Sequence, residues 1–208
     1  MNILALNSSS SEDTSVSRHL VKVAVDELLT ADSSAEVVWR DLAADPVPHL
    51  TSRNVSGVRG TPETEDEHTA RALSDALIAE LRAADIIVIG APMYNFSVPT
   101  VLRSWFDHVL RAGETFSYSE AGPEGLLKGK RVIVIESRGG FYSEGPAQVF
   151  DFQEPYLRQL LGFIGITDVT FVRAEKVAFG DDARTAAIAA AEAQLASFAA
   201  SAPEAAAA

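Results

Sequence analysis

The 208-residue sequence contains no cysteine. Thiol nucleophiles, disulfides and thiolate metal sites are therefore excluded, and any redox chemistry must belong to a bound cofactor. Basic residues are scarce: 17 Lys and Arg stand against 29 Asp and Glu, a formal net charge of -12. Such a balance argues against non-specific nucleic-acid binding and against an anionic membrane surface. No stretch approaches the roughly 18 apolar, uncharged residues of a membrane span. The opening MNILALNSS has no basic region and too short an apolar run for a signal peptide, so a cytoplasmic protein is expected. The four histidines show neither HxH nor HExxH spacing, so no metal site is expected. GxxxxGK[ST], GxGxxG and GxSxG are all missing, which argues against a P-loop, a standard dinucleotide fold and a hydrolase triad.

What is present is an alternation. Short apolar runs at Asn2–Leu6, Asp85–Pro92, Lys130–Ser137 and Asp168–Glu175 read as buried strands, and Ala35–Asp41 as a strand nearer an edge. Helical patterns fall between them, at about 17–29, 65–84, after Ser97, at 154–161 and at 181–198. Ser97 is the expected cap of the third helix, Pro99 lies in its first turn, and Gly113 is its expected end. Strand and helix alternating five times imply parallel strands with helices on both faces. One domain over 1–200 is expected, with 201–208 as a frayed tail. Two stretches, 46–64 and 112–129, lack a regular pattern, and long loops of that kind often carry function.

In such a fold ligands bind beyond the carboxyl ends of the strands. Three loops belong there. The first, NSSSSEDTSVSR, enters a helix N-terminus, where Ser9, Ser15 and Ser17 can donate to a phosphate beside free N–H groups. The second, APMYNFSVP, carries Met93, Tyr94, Asn95 and Phe96, a surface suited to a flat ring. The third, ESRGGFYSEGP, places Gly139 and Gly140 just past a strand, where bare backbone can approach a ligand. Each alone has a plain alternative: a capped polar loop, a turn before a helix, a glycine turn. Together they suggest a mononucleotide with a flat ring, flavin mononucleotide (FMN).

These stretches, with DLAADPVPHL, AGETFSYSEAGPEGL and PYLRQLLGFIGITDVTFVRAE, resemble the FMN-dependent NADH:quinone oxidoreductase and azoreductase family, once classed as acyl-carrier-protein phosphodiesterases. The likeness covers nearly the whole chain. It implies a flavodoxin-like α/β sandwich with five parallel strands in the order 2-1-3-4-5, working as a homodimer. It assigns FMN to Ser9, Ser15, Val16 and Ser17, with Val16 acting through its N–H alone. It also assigns FMN to Met93, Tyr94, Asn95 and Phe96, and to Ser137, Arg138, Gly139 and Gly140. Tyr118 and Phe163 match residues near the substrate, partly from the other subunit, and 141–153 borders that pocket. The implied reaction is ping-pong. NADH or NADPH gives a hydride to flavin N5, and a quinone or azo compound then takes two electrons at the same place, with no catalytic side chain. The sequence does not separate NADH from NADPH; Arg138 and Arg59 are candidates to meet a 2′-phosphate, though arginines serve many other purposes. The alternative is a flavodoxin-type carrier of single electrons, whose acidic surface would suit a basic protein partner.

Overall fold

A computed structural model describes residues 1–120 and 122–201. Five parallel strands build the sheet: β1 (Asn2–Asn7), β2 (Glu36–Asp41), β3 (Ile86–Gly90), β6 (Arg131–Ser137) and β7 (Asp168–Ala174). Their order is β2-β1-β3-β6-β7, which is 2-1-3-4-5 counted over the sheet strands alone. A separate antiparallel hairpin pairs β4 (Phe116–Ser119) with β5 (Gly122–Gly125). The helices are α1 (Val16–Ala31), α2 (Val55–Arg59), α3 (Glu65–Ala83), α4 (Thr100–Val109), α5 (Glu154–Phe163) and α6 (Asp181–Ala200).

The pleat explains the layering. Side chains alternate across a strand, so Ile3, Ala5, Ile133 and Ile135 join α1 and α6 in one core. Leu4, Leu6, Val132 and Val134 join α3, α4 and α5 in the other. Both faces of the inner strands are covered, which is why they read as continuous apolar runs. Trp39 on edge strand β2 is half-exposed.

Several expectations need correction. The 46–64 stretch contains the short helix α2, and 112–129 contains the β4–β5 hairpin. Pro99, not Ser97, stands at the start of α4, and no side chain caps it. The helix stops at Leu110, before Gly113, whose φ of +80° serves the entry to the hairpin instead. The hairpin is seated on the α5–β7 turn so closely that a Cβ on Gly125 would lie 2.0 Å from the Gly165 nitrogen. Of the expected tail, 202–208 lies outside the described residues. Among those described, no helix is long and apolar enough to cross a membrane.

Candidate active site

The serine loop closes on itself before any ligand arrives. Ser8 Oγ donates to the Gly90 carbonyl at 2.6 Å, joining the ends of β1 and β3. Ser15 caps α1: its Oγ accepts from Arg18 N at 3.3 Å and lies 3.2 Å from Ser17 Oγ. Ser9, Ser15 and Ser17 are all buried. The Val16 and Ser17 amides lie in the first helical turn, too early for an intrahelical acceptor. Neither has a hydrogen-bond partner among the described residues. Val16's side chain packs into the α1–α6 core, so only its N–H faces this site. Two amides and up to three hydroxyls at the positive end of a helix form a neutral donor set for a phosphate monoester.

Arg18 stands behind this loop and not in it. Its Nη2 donates to the Ser9 carbonyl at 2.8 Å, and its guanidinium also pairs with Asp41. The hydrogen bond from Arg18 pulls the Asp41 carboxyl down against the opposing effect of burial.

The second loop is a strained two-residue turn. Tyr94 and Ser97 exchange both backbone bonds, at 2.9 and 3.1 Å. Between them Asn95 has φ +48° and Phe96 φ +70°. Two left-handed residues make a turn of the I′ kind, which favours Asn-Gly; Phe at the second position costs about 1–2 kcal/mol. The turn is held at both sides. Tyr94 Oη accepts from Ser10 N at 3.1 Å and lies 3.3 Å from Ser9 Oγ. Burial alone would push this phenol up, but hydrogen bonds from Ser10 and Ser9 outweigh it and bring it below its usual value. Met93 N donates to Ser137 O at 2.9 Å, tying the turn to the third loop.

In the third loop the backbone is sorted by polarity. The carbonyls of Arg138, Gly139 and Gly140 accept from the N–H groups of Val177, Ala178 and Lys176 at 3.2, 3.2 and 2.7 Å. The Gly139 and Gly140 amides have no partner among the described residues. A run of free N–H groups suits the carbonyls and ring nitrogens of a flat heterocycle. The Arg138 side chain does the opposite of what its place in the motif suggests. It is wholly buried and pairs with Glu136, Asp151 and Glu175 at 2.7, 3.0 and 3.2 Å. It has no free face for a 2′-phosphate. Arg59 is also engaged elsewhere, donating to the carbonyls of Asp107 and Leu110. The expectation that either arginine meets that phosphate is therefore withdrawn.

Within 141–153, the stretch expected to border the substrate pocket, the structure singles out residues that no motif named. Phe96's ring contacts Phe150 (centroids 5.7 Å apart) and Tyr142 (6.0 Å, edge-on). Phe152 N donates to the Phe96 carbonyl at 3.1 Å. The available signal was three large apolar residues, Val149, Phe150 and Phe152, inside a polar, glycine-containing stretch; all three are exposed.

Tyr118 and Phe163 are not at this edge of the protomer. Helix α5 starts beside the carboxyl ends of β6 and β7, where Glu154 pairs with Arg173 at 2.6 Å, and runs back to Phe163 at the amino edge. There Phe163 packs on Phe116 (4.6 Å), which packs edge-on to Tyr118 (5.5 Å). A strand's length, about 20 Å, separates them from the three loops. Tyr118 is 71% exposed. No metal-holding cluster occurs among the described residues.

A neutral phosphate cradle, free backbone amides and aromatic walls at one sheet edge fit FMN as a group. Comparison with known proteins agrees. A family model described as "Flavodoxin-like fold" matches residues 1–199. The FMN-dependent NADH:quinone oxidoreductase of Hyphomonas neptunium is 67% identical, covering 95% of each chain. That of Ralstonia nicotianae is 51% identical, covering 94% of this chain and 95% of its own. Among solved structures, an azoreductase from Bacillus anthracis str. Sterne superposes with a TM-score of 0.88 at 29% identity, covering 96% of this chain and 98% of its own. An FMN-dependent NADH-azoreductase from B. anthracis str. Ames Ancestor, in complex with FMN, gives 0.87 at 26%, covering 96% and 97%. The chain belongs to the FMN-dependent NADH:quinone oxidoreductase and azoreductase family, with a flavodoxin-like fold.

Proposed function

We propose that the chain exercises its family's activity, FMN-dependent reduction of quinones by NADH, at the carboxyl edge of the sheet and as a homodimer. The observation that carries this is the junction of the loops: Tyr94 Oη meets Ser9 and Ser10, while Met93 N meets Ser137. One cofactor can therefore touch all three.

When bound, FMN supplies the chemistry of accepting a hydride and passing on the electron pair. The chain's own residues bind and orient it. Val16 and Ser17 amides with the Ser9, Ser15 and Ser17 hydroxyls hold the phosphate. The Asn95, Phe96, Gly139 and Gly140 amides, free of other partners among the described residues, face the ring edge. Phe96 and its aromatic neighbours exclude water and offer stacking, which tolerates varied planar acceptors. Azo compounds are accepted on that basis, as the names of the B. anthracis relatives suggest. No side-chain nucleophile takes part. A single-electron carrier would need an exposed ring edge, and the aromatic cover around Phe96 argues for the enzyme.

The dimer rests on Tyr118 and Phe163. Family resemblance places them near the substrate, yet within one protomer they lie at the far edge, so only a second copy can deliver them. The exposed Phe96, Val149, Phe150 and Phe152 provide an apolar surface at the receiving edge. A cytoplasmic setting suits a chain without cysteine that uses a reduced pyridine nucleotide.

Three measurements on purified holoprotein test the reading. Heat release and mass identification of the cofactor should return FMN; FAD or no flavin overturns the site. Initial rates against NADH at fixed quinone levels should give parallel double-reciprocal lines, and intersecting lines remove the shared position of donor and acceptor. Mixing Tyr118→Ala/Phe163→Ala chains with Ser17→Ala chains should restore activity through hybrid dimers; a fully active 22 kDa species in sedimentation sinks the dimer.

A further inference from the structure

The segment from Phe141 to Gln153 has a weak claim to order. Its only regular element is a five-residue 3₁₀ turn, Pro146–Phe150, and Val149, Phe150 and Phe152 are exposed. Apolar burial does not hold it down. Polar anchors do. At its start, Glu175 accepts from Tyr142 N (2.8 Å), Ser143 N (3.1 Å) and Ser143 Oγ (2.5 Å). At its end, Asp151 Oδ1 accepts from Gln153 N (2.9 Å) and Glu154 N (3.0 Å). Gln153, itself wholly buried, donates through Nε2 to the Ala91 carbonyl at 2.8 Å, just where β3 gives way to the Phe96 turn.

All three anchors converge on one guanidinium. Arg138 reaches Glu175 at 3.2 Å, Asp151 at 3.0 Å and Gln153 Oε1 at 3.1 Å. A planar fork with five donors can serve three separate acceptors in fixed directions; an ammonium is a point charge and cannot. The strap then grips the Phe96 turn through Phe152 N and the rings of Phe150 and Tyr142. A left-handed Phe persists only where its surroundings enforce it.

We propose that Arg138 is a positioning residue: its buried guanidinium clamps the Phe141–Gln153 strap onto the Phe96 turn and so sets which planar acceptors the site admits. The clamp stands on geometry alone; the role in acceptor choice rests on the functional reading above. Neither assigns Arg138's side chain to the cofactor.

The test compares FMN-loaded wild type with Arg138→Lys, which keeps the charge and loses the fork, and with Gln153→Met. The second variant removes both the acceptor for Arg138 Nε and the donor to Ala91 without adding a titratable group, so it decides the matter if the first does not fold. Hydrogen exchange at Tyr142, Ser143 and Phe152 should become about tenfold faster or more, while α1 stays protected. FMN affinity should stay within about threefold. The ratio of kcat/KM for a two-ring naphthoquinone over a one-ring benzoquinone should shift by about fivefold, through KM. Unchanged exchange in both variants overturns the clamp. A loosened strap with an unchanged quinone ratio overturns the role in acceptor choice, and FMN loss matching the activity loss returns Arg138 to the cofactor. A wild type that does not reduce quinones with NADH defeats the functional reading, while the exchange data still decide the clamp.

Discussion

The loops after β1 and after β6 lie at the same sheet edge, where the proposed function joins them in one site, yet they are built in opposite ways. After β1 the groups proposed to face the ligand are chiefly neutral hydroxyls, whose identity is written in the sequence, with the Val16 and Ser17 amides beside them. Two cations stand beside them without joining them: Arg18 is turned to Asp41 and to the Ser9 carbonyl, and Arg184 donates to the Thr14 carbonyl at 2.9 Å. After β6 the ligand-facing groups are glycine amides, and charged side chains do the holding from inside. Three guanidiniums there, Arg138, Arg158 and Arg173, face four carboxylates, Glu136, Asp151, Glu154 and Glu175. A motif residue thus announces its chemistry when the side chain meets the ligand, and misleads when the backbone does.

The largest effect that separates the two designs is expected in the serine loop. Replacing Ser15 and Ser17 with Ala removes two hydroxyls that donate to a charged phosphate. The loss is about 2–4 kcal/mol of binding, a rise in FMN dissociation constant on the order of 10²-fold. Ser15→Ala also uncaps α1 and should destabilise the FMN-free protein by about 1 kcal/mol, whereas Ser17→Ala should not. Fluorescence titration with FMN and thermal unfolding of the FMN-free chains measure the two parts. A double variant that binds FMN as tightly as wild type would show that the amides alone hold the phosphate.

This contrast also explains what was legible beforehand. Strand order and layers follow from apolar periodicity, which dominates because both sheet faces are buried. The hairpin escaped because Phe116 is the only strongly buried side chain among the described residues of its two strands, and four-residue strands carry little pattern. Arg138 was assigned by motif when periodicity already spoke against it. Counting by two from Val132 through Val134 and Glu136 leads to Arg138 on the α5 face; from Phe171, the same count gives Arg173 and Glu175. The register pairs Glu136 with Arg173. A buried charge cluster was therefore readable, but its partners Asp151 and Gln153 come from a stretch with no period at all.

A smaller effect probes the inner charges. Glu136 is wholly buried, and burial pushes its carboxyl up to about 8; Arg138 opposes this, while Glu154 and Asp151 add to it. Between the ordinary value of 4.5 and about 8 the folded chain binds one more proton here than the unfolded chain. The stabilising contribution is thus complete below 4.5 and is lost as pH rises through about 8. The slope is at most about 1.4 kcal/mol per pH unit. His108 acts in the other direction and elsewhere: burial holds its imidazole below 6.5, so its penalty appears only on acidification. Denaturant unfolding between pH 6 and pH 9 follows this loss, and the comparison with a Glu136 variant assigns it. Glu136→Gln keeps the shape of the protonated group and should flatten the fall seen in wild type. An equally steep fall in the variant would assign the extra proton to another member of the cluster.

The smallest expected change in stability belongs to the turn that both loops hold. Phe96 pays for its left-handed backbone with about 1–2 kcal/mol, a strain that glycine does not feel. Phe96→Gly removes that strain but gains unfolded-state freedom, about 0.5–1 kcal/mol, and loses the contacts with Phe150 and Tyr142, about 0.5–1.5 kcal/mol. The terms nearly cancel, so the melting temperature should move by no more than about 4 °C. Function should not cancel, because the proposed function makes the ring the part of the turn that meets an acceptor. The quinone KM should rise by about tenfold while FMN affinity changes little. Phe96→Asn, which tolerates the same backbone, should match the glycine variant in KM and so separate loss of the ring from gain of freedom. A fall in melting temperature of much more than about 4 °C in both variants would make the ring a structural plug. An unchanged quinone KM would remove Phe96 from the acceptor site, leaving its strain as the outcome of the Tyr94–Ser97 turn and the strap that packs on it.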